Sequence, residues 1–186
     1  MTISTRELSR AALFTALMCA LTIVVRIVQP VVVIPFSLQP LIMMLAAILL
    51  SPRAVFLSML AYLLLGLIGL PVFSVPPYGG PAYVLVPSFG FLLAFPLAGW
   101  VLSRLIRGFS VLNLAAAGLA AIIVYYLIGL PYMYLILNYY LGHTVNVMQM
   151  LKIGFIPFII FDVAKLAVAI WLSREVGRRL GLKREF

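Results

Sequence analysis

Two charged side chains lie within an apolar segment near the carboxyl end of the chain. The segment from Gly154 to Ser173 is long enough to cross a bilayer, yet it contains Asp162 and Lys165. Because side chains three residues apart share a face of a helix, both charges point the same way, into the protein. A charge near the bilayer centre costs at least ~2.5–3.5 kcal/mol, so such residues usually mark the path of a substrate or an ion. The spacing predicts a ligand site at this pair.

Two interpretations of the pair stay open at this point. Asp162 and Lys165 are close enough to neutralise each other, but an ion pair in an apolar interior is a poor source of stability. Alternatively, the pair offers an acceptor and a cation to a small ligand that carries N–H donors and a carbonyl or carboxylate. We favour the second interpretation. A third charge, Arg26, lies near the outer end of the first apolar segment, where it either snorkels to the interface or attracts an anionic ligand.

The remaining residues offer little for catalysis. The acids are Glu7, Asp162, Glu175 and Glu185, and the single histidine is His143. No HExxH, GxSxG or phosphate-binding P-loop motif is present, and one cysteine excludes a multi-cysteine metal cluster. We therefore predict no catalytic residue, no metal and no cofactor. The alternative from another class is a membrane enzyme that uses the charged pair of the last apolar segment.

The composition is that of an integral membrane protein. Of the 186 residues, 66% are hydrophobic and 9% are charged, whereas about a quarter of a soluble domain is charged. The net charge of +9 is compatible with nucleic-acid binding, but the basic residues lie at the ends of apolar segments. That placement is typical of membrane topology, so we expect the lipid bilayer and no nucleic acid as a partner.

The elements that must position the charges are six transmembrane helices in one all-α domain over residues 1–186. The predicted spans are 11–28, 38–51, 54–70, 88–106, 112–137 and 154–173. With the N-terminus inside, ten basic residues fall on the inner side and Lys152 alone on the outer side. The positive-inside rule therefore places both termini in the cytoplasm of a multi-pass cell-membrane protein. The basic tail from Arg174 to Phe186 is expected to touch anionic lipid.

One outer loop differs in composition from an ordinary connection. The segment from Leu70 to Ser88 is uncharged and rich in Pro, Gly and aromatic residues. Functional sites concentrate on such loops, so we predict an extracellular lid over a pocket rather than a structured cap that binds nothing.

Small residues recur every four positions in the first span, at Ala12, Ala16 and Ala20. A small-xxx-small stripe lets another helix approach closely. The spacing alone is compatible both with packing inside the bundle and with docking of a partner protein.

Four stretches, taken together and in order, resemble the BioY family, whose members are biotin-binding S components of energy-coupling factor (ECF) transporters. They are "IPFSLQPL" at 34–41, "YLLLGLIGLPVF" at 62–73, "GGPAYVLVPSFGFLLAFPLAGW" at 79–100 and "FIPFIIFDVAKLAVA" at 155–169. The resemblance covers most of the chain. It implies an ECF S-component-like bundle that binds biotin from outside and works with a transmembrane coupling (T) subunit and two cytoplasmic ATPases.

The resemblance also assigns roles to residues. It places Asp162 and Lys165 in the biotin site and makes the alanine stripe of the first span the docking surface for the coupling subunit. Ser88 stands where the family has a Thr contact. The chain departs from the family pattern at Phe161, where the family has Gly, and around Phe89.

Aromatic walls suit the apolar ring and thioether of biotin, and the candidates are Phe73, Tyr83 and Tyr126. Another small vitamin or a biotin precursor stays open as the ligand.

Overall fold

The structure is a computed structural model that describes residues 4–28 and 37–180, and every regular element in those ranges is helical. The helices are α1 (Thr5–Val28), α2 (Gln39–Leu49), α3 (Pro52–Leu67), α4 (Phe89–Leu105), α5 (Val111–Leu135), α6 (Val147–Gly154) and α7 (Ile156–Leu180). The prediction of an all-α protein is confirmed. Residues 29–36, which include most of the connection between the predicted spans 11–28 and 38–51 and part of the motif at 34–41, lie outside the described residues, as does the end of the basic tail at 181–186.

Three helical segments are long and apolar enough to cross a membrane: Thr5–Ile27, Val111–Tyr140 and Val147–Arg179. The other three apolar helices are shorter, with 11 residues in α2, 16 in α3 and 17 in α4. Most of α2 is buried, because it packs against α1, α4 and α7. The six apolar segments therefore form a bundle in which short helices lie among long ones.

The helices that carry the charged pair and its surroundings pack directly on each other. α4 packs between α3 and α5, and α5 also contacts α7. Gly118 of α5 permits a close approach, because a Cβ there would collide with the side chain of Leu166 on α7. This contact fixes the separation of α5 and α7 where the two helices cross.

The turns between helices follow ordinary capping chemistry. Ser51 caps α3 by accepting a hydrogen bond from the amide of Ala54 at 3.4 Å, and Pro52 occupies the first turn. Ser110 caps α5 in the same way through Asn113 at 3.3 Å. These caps explain the two tight connections on the side predicted to be cytoplasmic.

The connection between the predicted spans 112–137 and 154–173, expected to be a loop, contains helix. α5 continues as a π-helical turn over Ile136–Tyr140, and α6 begins at Val147. The start of α6 is a capping box, in which Asn146 and Gln149 each bond the other's backbone amide at 2.8–2.9 Å. Pro157 lacks an amide proton, which accounts for the interruption between α6 and α7 at Phe155.

The loop between α3 and α4 is folded back on the bundle. The amide of Gly80 donates to the Gly66 carbonyl at 2.7 Å, and Phe73 donates to Tyr78 at 2.8 Å. Gly80 has φ of +90°, a conformation that favours glycine, and a 3-10 turn follows over Pro81–Leu85. The loop is therefore an ordered cap with its own hydrogen bonds.

Candidate ligand-binding site

A cavity of about 370 Å³ lies among α4, α5 and α7. Several residues between 74 and 88 also line it, so the capping loop contributes directly to the wall. The remaining lining residues outside α4, α5 and α7 are Ser37, Gln39, Pro40, Ile153 and Gly154. Asp162 and Lys165 both line this cavity. The loop and the charged pair, which are far apart in the sequence, therefore meet at one site.

The charged pair is buried and closed. Asp162 is 4% exposed and Lys165 6%, and the Lys165 ammonium donates to Asp162 Oδ1 at 2.9 Å. Asp162 and Lys165 therefore neutralise each other and also line the cavity. These two possibilities, considered above as alternatives, occur together.

Two tyrosines complete the surroundings of the carboxylate. The hydroxyls of Tyr125 and Tyr126 both donate to Asp162 Oδ2, the second at 2.7 Å. With Lys165 on Oδ1, the carboxylate accepts three hydrogen bonds out of about four that its two oxygens offer. Because both hydroxyl protons point to Asp162, the tyrosine oxygens can act only as acceptors toward any further group.

Tyr126 was predicted from the sequence to line the cavity, and Tyr125 was not. Both residues line the cavity, and their rings lie 4.6 Å apart. Adjacent residues on a helix point about 100° apart, so a pattern argument selects one of them for a given face. The pair "YY" within an apolar span was the available signal, since a buried tyrosine hydroxyl usually needs a partner.

The other wall candidates divide between lining and supporting positions. Tyr83 and Ser88 line the cavity. Phe73 is fully buried behind Tyr83, with a ring-centroid distance of 4.3 Å, and lies against Tyr62 at 5.6 Å. The structure therefore gives Phe73 a supporting place rather than the lining place that the sequence analysis expected.

The Tyr83 hydroxyl has an unusual environment. Among the described residues it is buried and makes no hydrogen bond that meets ordinary geometry. A buried hydroxyl without a partner costs free energy, about 1–3 kcal/mol. Since Tyr83 lines the cavity, a ligand atom is one way to satisfy it.

Further aromatic rings form the apolar part of the wall. Phe91 meets the rings of Tyr125 and Tyr126 edge-on at 6.2 and 5.8 Å, and Phe95 meets Tyr125 at 6.3 Å. Phe158 of α7 adds another wall. The site thus combines an apolar enclosure with a small number of fixed polar groups, as small-molecule sites generally do.

The departures from the family pattern leave the cavity open. Phe161 is 37% exposed on α7. Phe89 packs against Phe73, Tyr83 and Tyr132 at centroid distances of 6.0–6.3 Å. Both bulky side chains are therefore accommodated beside the cavity, and the charged pair keeps its access to it.

Arg26 contacts the capping loop. Its guanidinium donates to the Pro71 carbonyl at 2.9 Å and lies 4.4 Å from the centre of the Tyr78 ring. It thereby joins the end of α1 to the loop, a role that neither of its sequence interpretations included.

The alanine stripe lies on the surface of the bundle. Ala12, Ala16 and Ala20 are all exposed, whereas Thr15 and Met18 are buried against the other helices. The described part of the chain leaves the stripe uncovered, which removes the interpretation that it packs inside the bundle.

The chemistry of the cavity is that of binding. Within residues 4–28 and 37–180, no three His, Cys, Asp or Glu side chains come together in a way that could hold a metal. The carboxylate, the ammonium and the two phenols are locked onto each other by hydrogen bonds. Such a fixed array of donors and acceptors selects a ligand by complementary hydrogen bonding.

Comparison with known proteins identifies the family. The BioY family model matches residues 1–182. The chain belongs to the BioY family. The "Probable biotin transporter BioY" of Lysinibacillus sphaericus is 36% identical over 175 residues, which are 92% of this chain and 86% of that protein. The "Biotin transporter BioY" of Thermotoga maritima is 34% identical over 175 residues, with 93% and 96% covered.

A solved structure supports the fold of this BioY-family chain. The S-component for biotin from an ECF-type ABC transporter superposes with a TM-score of 0.65 over 95% of both chains, at 22% identity. The likeness shows a shared fold, so the predicted ECF S-component-like bundle is confirmed.

Proposed function

We propose that this chain captures biotin for uptake across the cytoplasmic membrane, as the substrate-binding S component of an ECF-type transporter. The observation that carries the proposal is the buried Asp162–Lys165 pair on the wall of an aromatic cavity. It occurs in a family whose curated members are named biotin transporters. The chain is a transporter subunit rather than an enzyme.

The polar groups of the cavity match those of biotin. The ureido ring of biotin presents two N–H donors and a carbonyl. The remaining lone pair of Asp162 and the oxygen of Tyr126 supply acceptors for the two donors, and Lys165 supplies a donor for the carbonyl. Because the tyrosine proton is committed to Asp162, this set of groups is oriented before the ligand arrives, which lowers the cost of binding.

The rest of the ligand has suitable surroundings. The thioether and fused rings of biotin are apolar and suit the walls formed by Phe91, Phe95 and Phe158. The hydroxyls of Tyr83 and Ser88 form a second polar group on the cavity wall, and we assign them to the ligand's carboxylate. The cavity of about 370 Å³ is within the usual range of ~300–1,000 Å³ for small-molecule sites.

The orientation in the membrane follows from the charges. With both termini in the cytoplasm, the capping loop and the cavity face outside, and Arg53, Arg104 and Arg107 lie inside. The capping loop then acts as the lid that opens to admit biotin from outside.

ATP-driven transport would need partners, because the chain contains no motif for ATP hydrolysis. We assign the exposed stripe of Ala12, Ala16 and Ala20 to docking of a transmembrane coupling subunit, which two cytoplasmic ATPases would drive. Small side chains permit the close helix contact that such docking needs.

Calorimetric titration of the purified protein with biotin tests the proposal. We expect tight binding by the native chain and a loss of binding in Asp162→Asn. Glu175→Gln is the matched control, since it also neutralises an acid of α7 but one that lies outside the ligand cavity. If the native chain ignored biotin at micromolar concentrations but bound another vitamin or a biotin precursor, the substrate assignment would be wrong.

A further inference from the structure

A second depression lies toward the other end of α5 and α7. It encloses about 800 Å³ and is lined by residues between Val111 and Leu119 of α5 and between Val163 and Arg178 of α7. We call it the α5–α7 groove. On α5, the residues that line the ligand cavity come later in the chain than those that line the groove. On α7 they come earlier, except that Val163 of the groove precedes Lys165 of the cavity. None of the described residues lines both sites.

The α7 wall of the groove changes character along the helix. Val163, Leu166 and Ile170 are apolar, and Trp171 follows. The charged residues of the wall come last, at Arg174, Glu175 and Arg178. At about 1.5 Å per residue, the apolar part extends roughly 10 Å and the charged part roughly 6 Å. This is the order that a phospholipid presents along the membrane normal, with the acyl chain deepest, then the interface that tryptophan prefers, then the phosphate.

The rim of the groove is cationic. Arg174, Arg178 and Arg179 surround Glu175, which gives this cluster a net charge of +2. Glu175 accepts hydrogen bonds from Arg178 and Arg179, the latter at 2.7 Å, yet both arginine side chains stay more than three-quarters exposed. A guanidinium has five N–H donors, so an arginine that bonds a carboxylate still has donors for a phosphate.

We propose that the α5–α7 groove binds an anionic phospholipid, with an acyl chain against the apolar wall and the phosphate on Arg174 and Arg178. Anionic lipids are concentrated in the cytoplasmic leaflet, the side on which the positive-inside rule places these arginines. The site is independent of the ligand cavity and of the identity of the ligand.

A second copy of this chain fits the groove less well than a lipid does. A two-fold symmetric contact brings the same patch of both copies together. It would place the arginines at the groove of one copy close to those of the other, and like charges in contact are unfavourable.

Tryptophan quenching by brominated lipids provides a test, since the chain has two tryptophans. Trp100→Phe leaves Trp171, which is 67% exposed in the groove, as the reporter. The protein is reconstituted with phosphatidylcholine vesicles containing brominated phosphatidylglycerol or, at the same mole fraction, brominated phosphatidylcholine. We expect stronger quenching of Trp171 by the anionic lipid, equal quenching by both lipids after Arg174→Gln and Arg178→Gln, and a larger difference after Glu175→Gln.

Trp171→Phe is the matched control, because it leaves Trp100 as the reporter. Trp100 is on α4, is 39% exposed and lies beside Arg53 of α3. The arginine substitutions should leave its quenching unchanged. A parallel loss of lipid preference at Trp100 would indicate general attraction by a basic protein and would overturn the site. Equal quenching of Trp171 by both lipids before any arginine is changed would overturn it as well. Protection of Trp171 from both lipids, with a doubled mass in light scattering, would assign the groove to a second copy instead.

Discussion

Tyr126 on α5 donates a 2.7 Å hydrogen bond to Asp162 on α7, 36 residues later in the chain. The same carboxylate accepts a 2.9 Å hydrogen bond from the ammonium of Lys165, which is also on α7. Asp162 therefore joins two helices and also faces the ligand cavity. Substitutions in this cluster have two separable effects, one on the free energy of unfolding and one on the affinity for ligand.

Replacing one member of the ion pair should cost more stability than replacing both. Asp162→Asn removes the carboxylate that neutralises the Lys165 ammonium, and breaking a buried pair from one side costs about 3–5 kcal/mol. Combining Asp162→Asn with Lys165→Met removes both charges, so we expect the melting temperature of this double variant to lie above that of Asp162→Asn alone. Thermal unfolding in detergent measures this order.

Biotin binding should not follow stability in that series. The double variant lacks both the acceptor and the cation, so it should bind no better than Asp162→Asn although it is more stable. Binding that returned together with stability would give the pair a purely structural role and would remove it from the proposed site.

The hydroxyls of Tyr125 and Tyr126 should contribute similar amounts to stability and to biotin affinity, because both bond the same oxygen of Asp162. Tyr125→Phe and Tyr126→Phe each keep a ring and remove a hydrogen bond to a charged group, which is worth about 1.5–3 kcal/mol. Because both bonds reach Asp162 Oδ2, each single variant leaves that oxygen one donor and the double variant leaves it none, so the double variant should lose more than the two single losses added together. Titration calorimetry and thermal unfolding of the two single variants and the double variant test this coupling. Tyr139→Phe, at an 80% exposed position, should leave both measurements unchanged.

Tyr83→Phe should weaken biotin binding without lowering the stability of the protein. The hydroxyl makes no hydrogen bond of ordinary geometry among the described residues of the ligand-free protein, so its removal should leave the melting temperature equal or higher. If the ligand satisfies this hydroxyl, biotin affinity should fall by a factor of roughly 5–10, the equivalent of about 1–1.5 kcal/mol for one neutral hydrogen bond.

Tyr62→Phe is the control for that experiment. The Tyr62 hydroxyl accepts from Gln39 at 2.5 Å and donates to the Val72 carbonyl at 2.9 Å. Its loss should lower the melting temperature, because two buried groups lose a partner. An equal loss of stability in Tyr83→Phe would show that the Tyr83 hydroxyl is already satisfied without ligand.

Arg26→Met should loosen the capping loop. The substitution removes the bond to the Pro71 carbonyl and a contact with the Tyr78 ring, the latter worth about 0.5–1 kcal/mol at an exposed site. We expect faster hydrogen exchange at the amides of Phe73 and Gly80, which hold the loop together. If the loop is the lid, the biotin dissociation rate should rise as well. Arg104→Met, at the opposite end of the bundle, should change neither rate.

The sequence predicted the charged pair and the helical bundle, because both depend on local patterns. A charge within a long apolar segment is visible without a structure, and so is the segment itself, as α7 and Asp162 show. The contact between Arg26 and Tyr78 was not predictable in the same way. It depends on how the loop folds, and no periodic pattern encodes the pairing of a helix end with a loop carbonyl.

Phe73 shows a further limit of sequence reasoning. An aromatic residue at the start of an apolar loop has the same composition signal whether it lines a cavity or supports the residue that does. The structure places it behind Tyr83 because Gly66 leaves room for its ring, a contact between residues on different elements. Helix α6 was missed for a related reason, since its capping box between Asn146 and Gln149 follows a segment rich in polar residues that also fits a loop.

Enlarging the alanine stripe should block transport and spare binding. Ala16→Leu adds volume at an exposed position of α1, whereas the bundle-facing residues Thr15 and Met18 are untouched. A close helix–helix contact depends on small side chains, so docking of the coupling subunit should be lost. We expect biotin affinity equal to that of the native chain, together with loss of co-purification with the coupling subunit and of ATP-driven uptake.

Leu13→Phe is the matched control, because Leu13 is 66% exposed on the same helix and is already large. It should retain co-purification and uptake. Retention of both by Ala16→Leu as well would move the docking surface away from the stripe. Loss of biotin binding in Ala16→Leu would show instead that α1 supports the cavity, since a change confined to a docking face cannot alter the affinity of the isolated subunit.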